Sequence, residues 1–429
     1  MMILVLTLGL IVFMLIGLPV AMTLALSALG ALLAGDGMVF QFSVLSQKMQ
    51  FGLQNFLLIS IPLFILTAKL MNTAGITERI FRFANTLVGF LPGGLAQANI
   101  VASLIFAGMS GAAVVDASGL GQIELDAMTK NGYPKKLSVA VTAASSTIGP
   151  IFPPSIPMVV FSFVSGVSVG RLFLGGVVPG VLMAISLMTM VVFYAKKYNL
   201  PRRQFPTFAI AFRSFVESFL PLLTPLILLG GIWLGVFTPT EAAAVAACYA
   251  LIIGVFVLRV LSLKDIVRVS IETARDTAKI GFLIAGASLY GWVLMRSGMT
   301  IKFAEWLTSI SQSSFYILLI INAFLLVVGC FLDSTVAILI LGPLLVPVIE
   351  NLGIDPVHFG VIMVLNLMIG LLTPPFGIVL FVMKEVSGLK FEEVVKSTLP
   401  FLIPLFVVLI LIVIFPGLVT ALPNFLMGG

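Results

Sequence analysis

The sequence is short of charge. Of 429 residues, 23 are Lys or Arg and 17 are Asp or Glu, 9% together, against 60% hydrophobic residues. A soluble domain carries about 25% charged residues, and a chain of this length needs more charge to cover a water-facing surface. A cytosolic enzyme and a disordered scaffold are therefore excluded. Histidine occurs once, as His358, and cysteine twice, as Cys248 and Cys330. These fall short of the four ligands of a closed structural zinc site, and two distant cysteines make no disulfide framework. No Gly-Lys-Ser/Thr run occurs, so no Walker A loop holds ATP. A single histidine beside a turn offers no nucleophile–base constellation, so the chain reads as a non-enzyme. The net charge of +6 points to no nucleic acid partner. Lys and Arg kept at the cytoplasmic ends of membrane helices account for it.

What the sequence has is hydrophobic length. Helix-length apolar runs cover 3–33, 53–71, 172–195, 218–237, 240–258, 279–296, 314–331 and 399–420, each near or above the roughly 20 residues that cross a lipid bilayer. The stretch from Met1 to Gly35 carries no charge. It lacks the basic start of a signal peptide and reads as one retained membrane helix bent near Pro19. Shorter runs, 95–108, 112–128, 137–148, 156–165, 334–349, 357–371 and 376–387, hold most of the small polar residues and are too short to cross singly. Two stretches, from Ile76 and from Leu263 to Lys279, mix apolar and basic residues at helical spacing and read as interfacial or scaffold helices. The basic loop from Lys196-Lys197 through Arg202-Arg203 to Arg213 is the best candidate for a cytoplasmic loop.

The chain also repeats itself. Displaced by 221 positions, Gly108 falls on Gly329, Gly121 on Gly342, Gly132 on Gly353 and Gly149 on Gly370, while Pro153-Pro154 falls on Pro374-Pro375. Upstream, with a small slip, Leu70-Met71 pairs with Leu294-Met295 and Gly75 with Gly298. Each copy holds a short run, a glycine-marked tip, a second short run, a turn, and a helix interrupted by Gly and Pro-Pro. Proline removes a donor and clashes with the preceding turn, so two in succession after a glycine open the backbone. Unwound backbone within a bilayer is tolerated only where it lines a protein cavity, and paired interrupted segments point to a transporter's binding site.

The chemistry of those breaks suits ions and organic anions. An interrupted helix frees carbonyls on one side and N–H groups on the other. Carbonyl and hydroxyl oxygens suit Na⁺, and freed N–H groups suit a carboxylate. Ser110, Ser145, Ser146, Thr147, Ser334, Thr335, Asn366 and Thr373 cluster there, although serine also serves as packing glue between membrane helices. Asp116 and Asp333 lie in apolar surroundings at the two tips, where an aspartate binds Na⁺, caps a hairpin helix or pairs with a basic group. Arg296 either holds a substrate carboxylate bidentately or snorkels to the interface. Lys69, in the related stretch of the first half, reads as snorkelling. His358 reads as structural, and Glu124 and Asp126 as capping or interface charges.

The Ser110-to-Asp116 tip, the Thr142-to-Pro157 segment (Thr-Ala-Ala-Ser-Ser-Thr-Ile-Gly-Pro-Ile-Phe-Pro-Pro-Ser-Ile-Pro) and the Gly370-to-Gly377 segment resemble the large membrane subunit of tripartite ATP-independent periplasmic (TRAP) transporters. The resemblance covers essentially the whole chain. It implies an all-α polytopic protein of the bacterial inner membrane. Two inverted repeats each contribute a re-entrant helical hairpin and a broken helix, and an elevator-type transport domain moves against a scaffold. The implied division is scaffold helices 1–93, hairpin and broken helix 94–170, linking helix and basic loop 171–215, scaffold 216–313, second hairpin and broken helix 314–390, and a C-terminal helix 391–429. The implied activity is uptake of an organic acid, of the sialic acid or C4-dicarboxylate type, driven by two or more Na⁺ ions. A small four-helix membrane subunit and a periplasmic substrate-binding protein are the implied partners. By motif position the Na⁺ residues are Ser110, Gly111, Asp116, Ser145, Ser146, Gly149, Gly329, Asp333, Gly370 and Thr373. The substrate residues are Ser110, Thr147, Pro154, Ser155, Arg296, Asp333, Ser334 and Pro375. The alternative is a stand-alone Na⁺/divalent-anion symporter of similar architecture that needs no binding protein.

Overall fold

A computed structural model describes residues 1–35, 42–311 and 313–428. Among them all regular structure is helical. The first half runs α1 (Met2–Leu15), α2 (Val20–Leu33), α3 (Phe42–Leu53), a 3₁₀ turn (Phe56–Ile59) leading into α4 (Ser60–Thr73), α5 (Ile76–Val88), α6 (Gly94–Ser110), α7 (Ala113–Ser118), α8 (Leu120–Lys130), α9 (Lys135–Ser146), α10 (Ile156–Ser165) and α11 (Val169–Tyr198). The second half runs α12 (Phe208–Trp233), α13 (Pro239–Ile252) with a π turn (Ile253–Val257), α14 (Leu263–Arg296), α15 (Met299–Ile310), α16 (Ser314–Phe331), α17 (Ser334–Asn351), α18 (Pro356–Gly370), α19 (Ile378–Ser387), α20 (Phe391–Ile414) and α21 (Gly417–Met427).

Local chemistry sets many of these boundaries. Thr238 caps α13 and Ser262 caps α14, each answered by an acid three residues on, Glu241 and Asp265; the reciprocal bonds satisfy two orphan donors. Asp355 caps α18 ahead of Pro356, whose missing N–H costs nothing at the first helical position. Between each hairpin and its interrupted helix the chain turns at Gly132 (φ 82°) and Gly353 (φ 69°), left-handed positions that glycine takes without a Cβ penalty.

Among the described residues eight helices are long and apolar enough to cross a membrane: Phe56–Thr73, Val169–Tyr198, Phe208–Trp233, Pro239–Val257, Leu263–Arg296, Ser314–Phe331, Ser334–Asn351 and Phe391–Ile414. Three expectations are corrected. The N-terminal stretch is not one helix bent at Pro19. It is two 14-residue helices folded back on each other, with Gly9 against Ser27 and Gly30 against Val5; the Gly17-Leu18-Pro19 turn reverses the chain. The 334–349 run is not too short, because α17 continues to Asn351 and reaches 18 residues. The amphipathic stretch from Leu263 is not a separate interfacial helix. It is the first half of α14, which runs 34 residues without a break, about 50 Å at 1.5 Å per residue.

The packing has two centres, joined by close contacts. One is α14, which lies against α2, α3 and α4, while α4 lies against α13 and α12 against α5 and α13. The other joins the hairpins and interrupted helices: α6 with α9 and α11, α9 with α20, α16 with α18, and α10 with α17 and α18. Contacts of α14 with α17, of α4 with α6 and of α5 with α6 tie the groups together.

Candidate functional site

The two Pro-Pro segments interrupt helices at corresponding places. Between α9 and α10 lie residues 147–155, and between α18 and α19 lie residues 371–377. Both the Pro153-Pro154 and the Pro374-Pro375 bonds are cis. In each half the hairpin tip bonds to the strand of chain that leaves the break. Ile156 N–H donates to the Gly111 carbonyl, and Gly377 N–H to the Cys330 carbonyl, both at 3.3 Å. Gly111 sits at φ 61°, and a Cβ there would lie 2.6 Å from the Pro154 carbonyl oxygen, so a larger residue has neither the conformation nor the space.

The first segment of each interrupted helix is also tied to its hairpin. Ser145 Oγ donates to Asn99 Oδ1 at 2.7 Å and accepts from Ser103 Oγ at 3.1 Å, while Asn99 donates to Thr142 Oγ1 at 2.7 Å. Asn366, which occupies the position of Ser145 in the second half, donates to the Asn322 side chain at 2.7 Å and to the Asn322 carbonyl at 2.9 Å. These groups are buried, where a polar group left unpaired is costly. Further down, Gly329 and Gly370 touch backbone to backbone: a Cβ on Gly370 would lie 2.5 Å from the Gly329 carbonyl carbon.

A cavity of ≈ 470 Å³ lies where the two groups of helices meet. Its wall takes Ser110 and Ala112–Val115 from the first tip, Asp333, Ser334 and Thr335 from the second, Pro150, Ile156 and Pro157 from the first break, and Met368 and Leu371 beside the second. The opposite wall is Ile65, Ala68 and Lys69 of α4 and Asp276, Lys279, Ile280 and Leu283 of α14. The Ser110 hydroxyl is buried and, among the described residues, has no hydrogen-bond partner. Asp333 caps α17, accepting from the Thr335 N–H at 2.9 Å, and still borders the cavity. Lys69 Nζ lies 2.7 Å from Asp276 and 3.6 Å from Glu272, and Lys279 lies 3.2 Å from Asp276.

The sequence-predicted residues divide accordingly. Ser110, Asp333 and Ser334 line the cavity. Gly111, Ser145, Ser146, Thr147, Gly149, Pro154 and Ser155 form the buried shell of the first tip and break behind it. There Ser146 and Thr147 bond back to the Ala143 and Ala144 carbonyls at 2.9 and 2.7 Å, and Ser155 donates to the Pro150 carbonyl while accepting from Met158 N–H at 3.2 Å. Thr373 likewise bonds the Ile369 carbonyl at 2.8 Å. Pro375 is exposed and outside the cavity. Asp116 is buried on α7 beside Ser103 of α6, and Glu124 is buried on α8; among the described residues neither carboxyl pairs with a basic side chain. Glu124 is thus no interface charge. His358 is buried, with Nε2 2.7 Å from the Ile412 carbonyl, in a structural role. Arg296 is corrected: it is exposed at the end of α14, 5.4 Å from the Trp292 ring centre, and does not line the cavity. Lys69 is corrected too, since it is ion-paired and faces the cavity. Asp276 and Lys279 were missed. Their signal was weak, because Asp276 and Lys279 close an amphipathic stretch that already holds Lys264, Asp265, Arg268, Glu272 and Arg275, and the sequence ends that stretch where the apolar run begins.

Residues 7–418 match the family described as the tripartite ATP-independent periplasmic transporter, DctM component. The chain belongs to that family. It is 44% identical over 412 residues to the sialic acid TRAP transporter large permease protein SiaM of Vibrio cholerae, covering 96% of both chains. It is 38% identical over 373 residues to the C4-dicarboxylate TRAP transporter large permease protein DctM of Pseudomonas aeruginosa, covering 87% of each. In three dimensions it resembles the YdaH transporter of Alcanivorax borkumensis, with a TM-score of 0.64 and 16% identity over 96% of this chain and 98% of that one; that likeness concerns the fold alone. The chain is thus the large membrane permease of a TRAP uptake system, a multi-pass protein of the bacterial inner membrane and not an enzyme.

Proposed function

We propose that this TRAP permease carries an organic acid, of the sialic acid or C4-dicarboxylate type, inward by Na⁺-coupled elevator transport. The observation that carries this reading is the cavity bounded on one side by both hairpin tips and both helix breaks and on the other by α4 and α14. Under this reading the hairpins and interrupted helices form the moving domain, α1–α5 and α12–α15 supply most of the scaffold, and the two halves are inverted repeats. The corresponding order of elements and the paired tip-to-break hydrogen bonds support it.

The cavity lining is mostly apolar, and the polar side chains the tips bring to it, Ser110, Asp333, Ser334 and Thr335, offer oxygen. The tips and breaks offer hydroxyls and main-chain carbonyls, and among the described residues no group of three or more His, Cys, Asp or Glu side chains could hold a metal ion. That set fits Na⁺ and not a soft or high-affinity divalent metal. The N–H groups at the starts of α10 and α17 are taken by Gly111, Ser155 and Asp333, so the Ser110 hydroxyl, which has no partner among the described residues, is the group at the tips left to meet a carboxylate. Lys69 and Lys279 bring cations to the facing wall, where Asp276 and Glu272 offset their charge. The names of the two relatives support the choice of acid. A periplasmic binding protein and a small four-helix membrane subunit complete the system. Each charge crossing a 100 mV potential supplies about 2.3 kcal/mol, so two net charges sustain a substrate gradient of roughly three decades.

Proteoliposomes holding this chain and its small subunit test the proposal. Uptake of labelled sialic acid or C4-dicarboxylate is expected only with an inward Na⁺ gradient and the binding protein. Equal uptake without Na⁺ overturns the coupling. Uptake by the chain alone turns the reading into a stand-alone symporter.

A further inference from the structure

A second cavity, ≈ 710 Å³, opens where α9, α11 and α20 converge. Lys135 and Lys136 start α9, Tyr194 and Tyr198 stand in the last turns of α11, and Lys396 and Phe401 lie in the first turns of α20. The Tyr194 ring stacks on Phe401 at 5.3 Å and on Tyr198 at 5.9 Å. The Lys197 ammonium sits 5.9 and 5.7 Å from the two tyrosine ring centres. Glu393 lies 3.0 Å from Lys136 and offsets that one lysine, and Glu392 is exposed beside it. Lys135 and Lys396 are exposed and, among the described residues, have no ion-pair partner. The pocket therefore has an aromatic floor and a surplus of positive charge.

Its depth is set by the helices around it. α11 and α20 are 30 and 24 residues long and both qualify as membrane spans, and the pocket lies at the C-terminal end of one and the N-terminal end of the other. That is the level of lipid headgroups, where tyrosines collect. The last turn of α11 carries Lys196 and Lys197 and the loop after it Arg202 and Arg203, a pattern of the cytoplasmic side. Basic pockets between membrane helices on that side bind phosphate-bearing headgroups. A free anion in water has no use for the aromatic and aliphatic lining; the glycerol and upper acyl carbons of a phospholipid do.

We propose that this pocket binds the headgroup of an anionic phospholipid of the phosphatidylglycerol or cardiolipin class, with its phosphate between Lys135 and Lys396 and its glycerol end on Tyr194 and Phe401. Because α9 belongs to the first half and α20 to the second, such a lipid braces their packing. The site is remote from the transport cavity and does not depend on the substrate proposed above.

The test uses the purified full chain in neutral detergent, with native mass spectrometry and thermal unfolding as readouts. The probes are phosphatidylglycerol, phosphatidylcholine and inorganic phosphate. Phosphatidylglycerol is expected to stay bound and to raise the unfolding temperature, and the other two to do neither. Lys135→Gln/Lys396→Gln is expected to weaken phosphatidylglycerol binding about tenfold, Lys135→Arg/Lys396→Arg to retain it, and Lys302→Gln on α15, which removes charge elsewhere, to leave it unchanged. Equal binding of phosphatidylcholine overturns lipid selectivity. Protection by inorganic phosphate alone makes the pocket a free-anion site and overturns the lipid assignment. Unchanged binding in the double Gln variant overturns the location.

Discussion

Lys69 of α4 and Asp276 of α14 stand 207 residues apart in the chain, yet the lysine Nζ donates to the aspartate at 2.7 Å beside the central cavity. The bond joins the two halves of the protein on the wall facing the hairpin tips. Both side chains are partly exposed, 22% and 38%, and an ion pair of that kind contributes about 0–1 kcal/mol to stability. Its position argues for a role in transport. Lys69→Met and Asp276→Asn are each expected to leave membrane insertion and unfolding temperature nearly unchanged and to lower uptake about tenfold or more. The exchanged pair Lys69→Asp/Asp276→Lys is expected to recover part of it. Normal uptake in both single variants removes this wall from the mechanism.

The glycines at the second break are expected to be intolerant. A Cβ on Gly370 meets the Gly329 backbone at 2.5 Å, whereas the nearest neighbour of a Cβ on Gly149 is the Ser146 carbonyl oxygen at 3.3 Å. Overpacking of this kind costs about 1–3 kcal/mol. Gly370→Ala should therefore lower the unfolding temperature clearly more than Gly149→Ala. Equal melting of the two variants contradicts the backbone contact.

Asp116 and Glu124 are buried acidic groups that, among the described residues, pair with no basic side chain. Such a group is costly to ionise, and ionisable residues within a membrane bundle mark function. Asp116→Asn is expected to hold or raise the unfolding temperature while weakening the Na⁺ dependence of uptake. A large loss of thermal stability, with the residual uptake as Na⁺-dependent as before, would show that the carboxylate is structural.

Arg296 lies against Trp292 at the exposed end of α14. Arg296→Lys keeps a cation at that place and is expected to transport at the unaltered rate, with an unaltered substrate concentration for half-maximal uptake. A several-fold rise in that concentration would restore the arginine to the substrate site.

Much of the fold was legible because its signals are local or self-repeating. Lack of charge required a membrane, and the displaced copies of Gly108, Gly149 and Pro153-Pro154 mark both tips and both breaks. Three features were not legible. The reversal at Pro19 leaves the same apolar composition as a single bent helix, and only the pairing of Gly9 with Ser27 distinguishes them. The extent of α14 was misjudged because Asp276 and Lys279 look like an interface when read alone. Glu124 looks like a surface charge in its local sequence, yet it is enclosed once α8 packs on α6 and α9.

The sequence by itself determined that this chain is a bundle of membrane helices with two opened backbones, because hydrophobic length, glycine and proline act within a turn or two of where they stand. The tertiary structure alone decided which polar groups face one another across the cavity. Ser110, Asp333, Lys69 and Asp276 come from four separate segments, and their meeting depends on how whole helices pack, which no local pattern records.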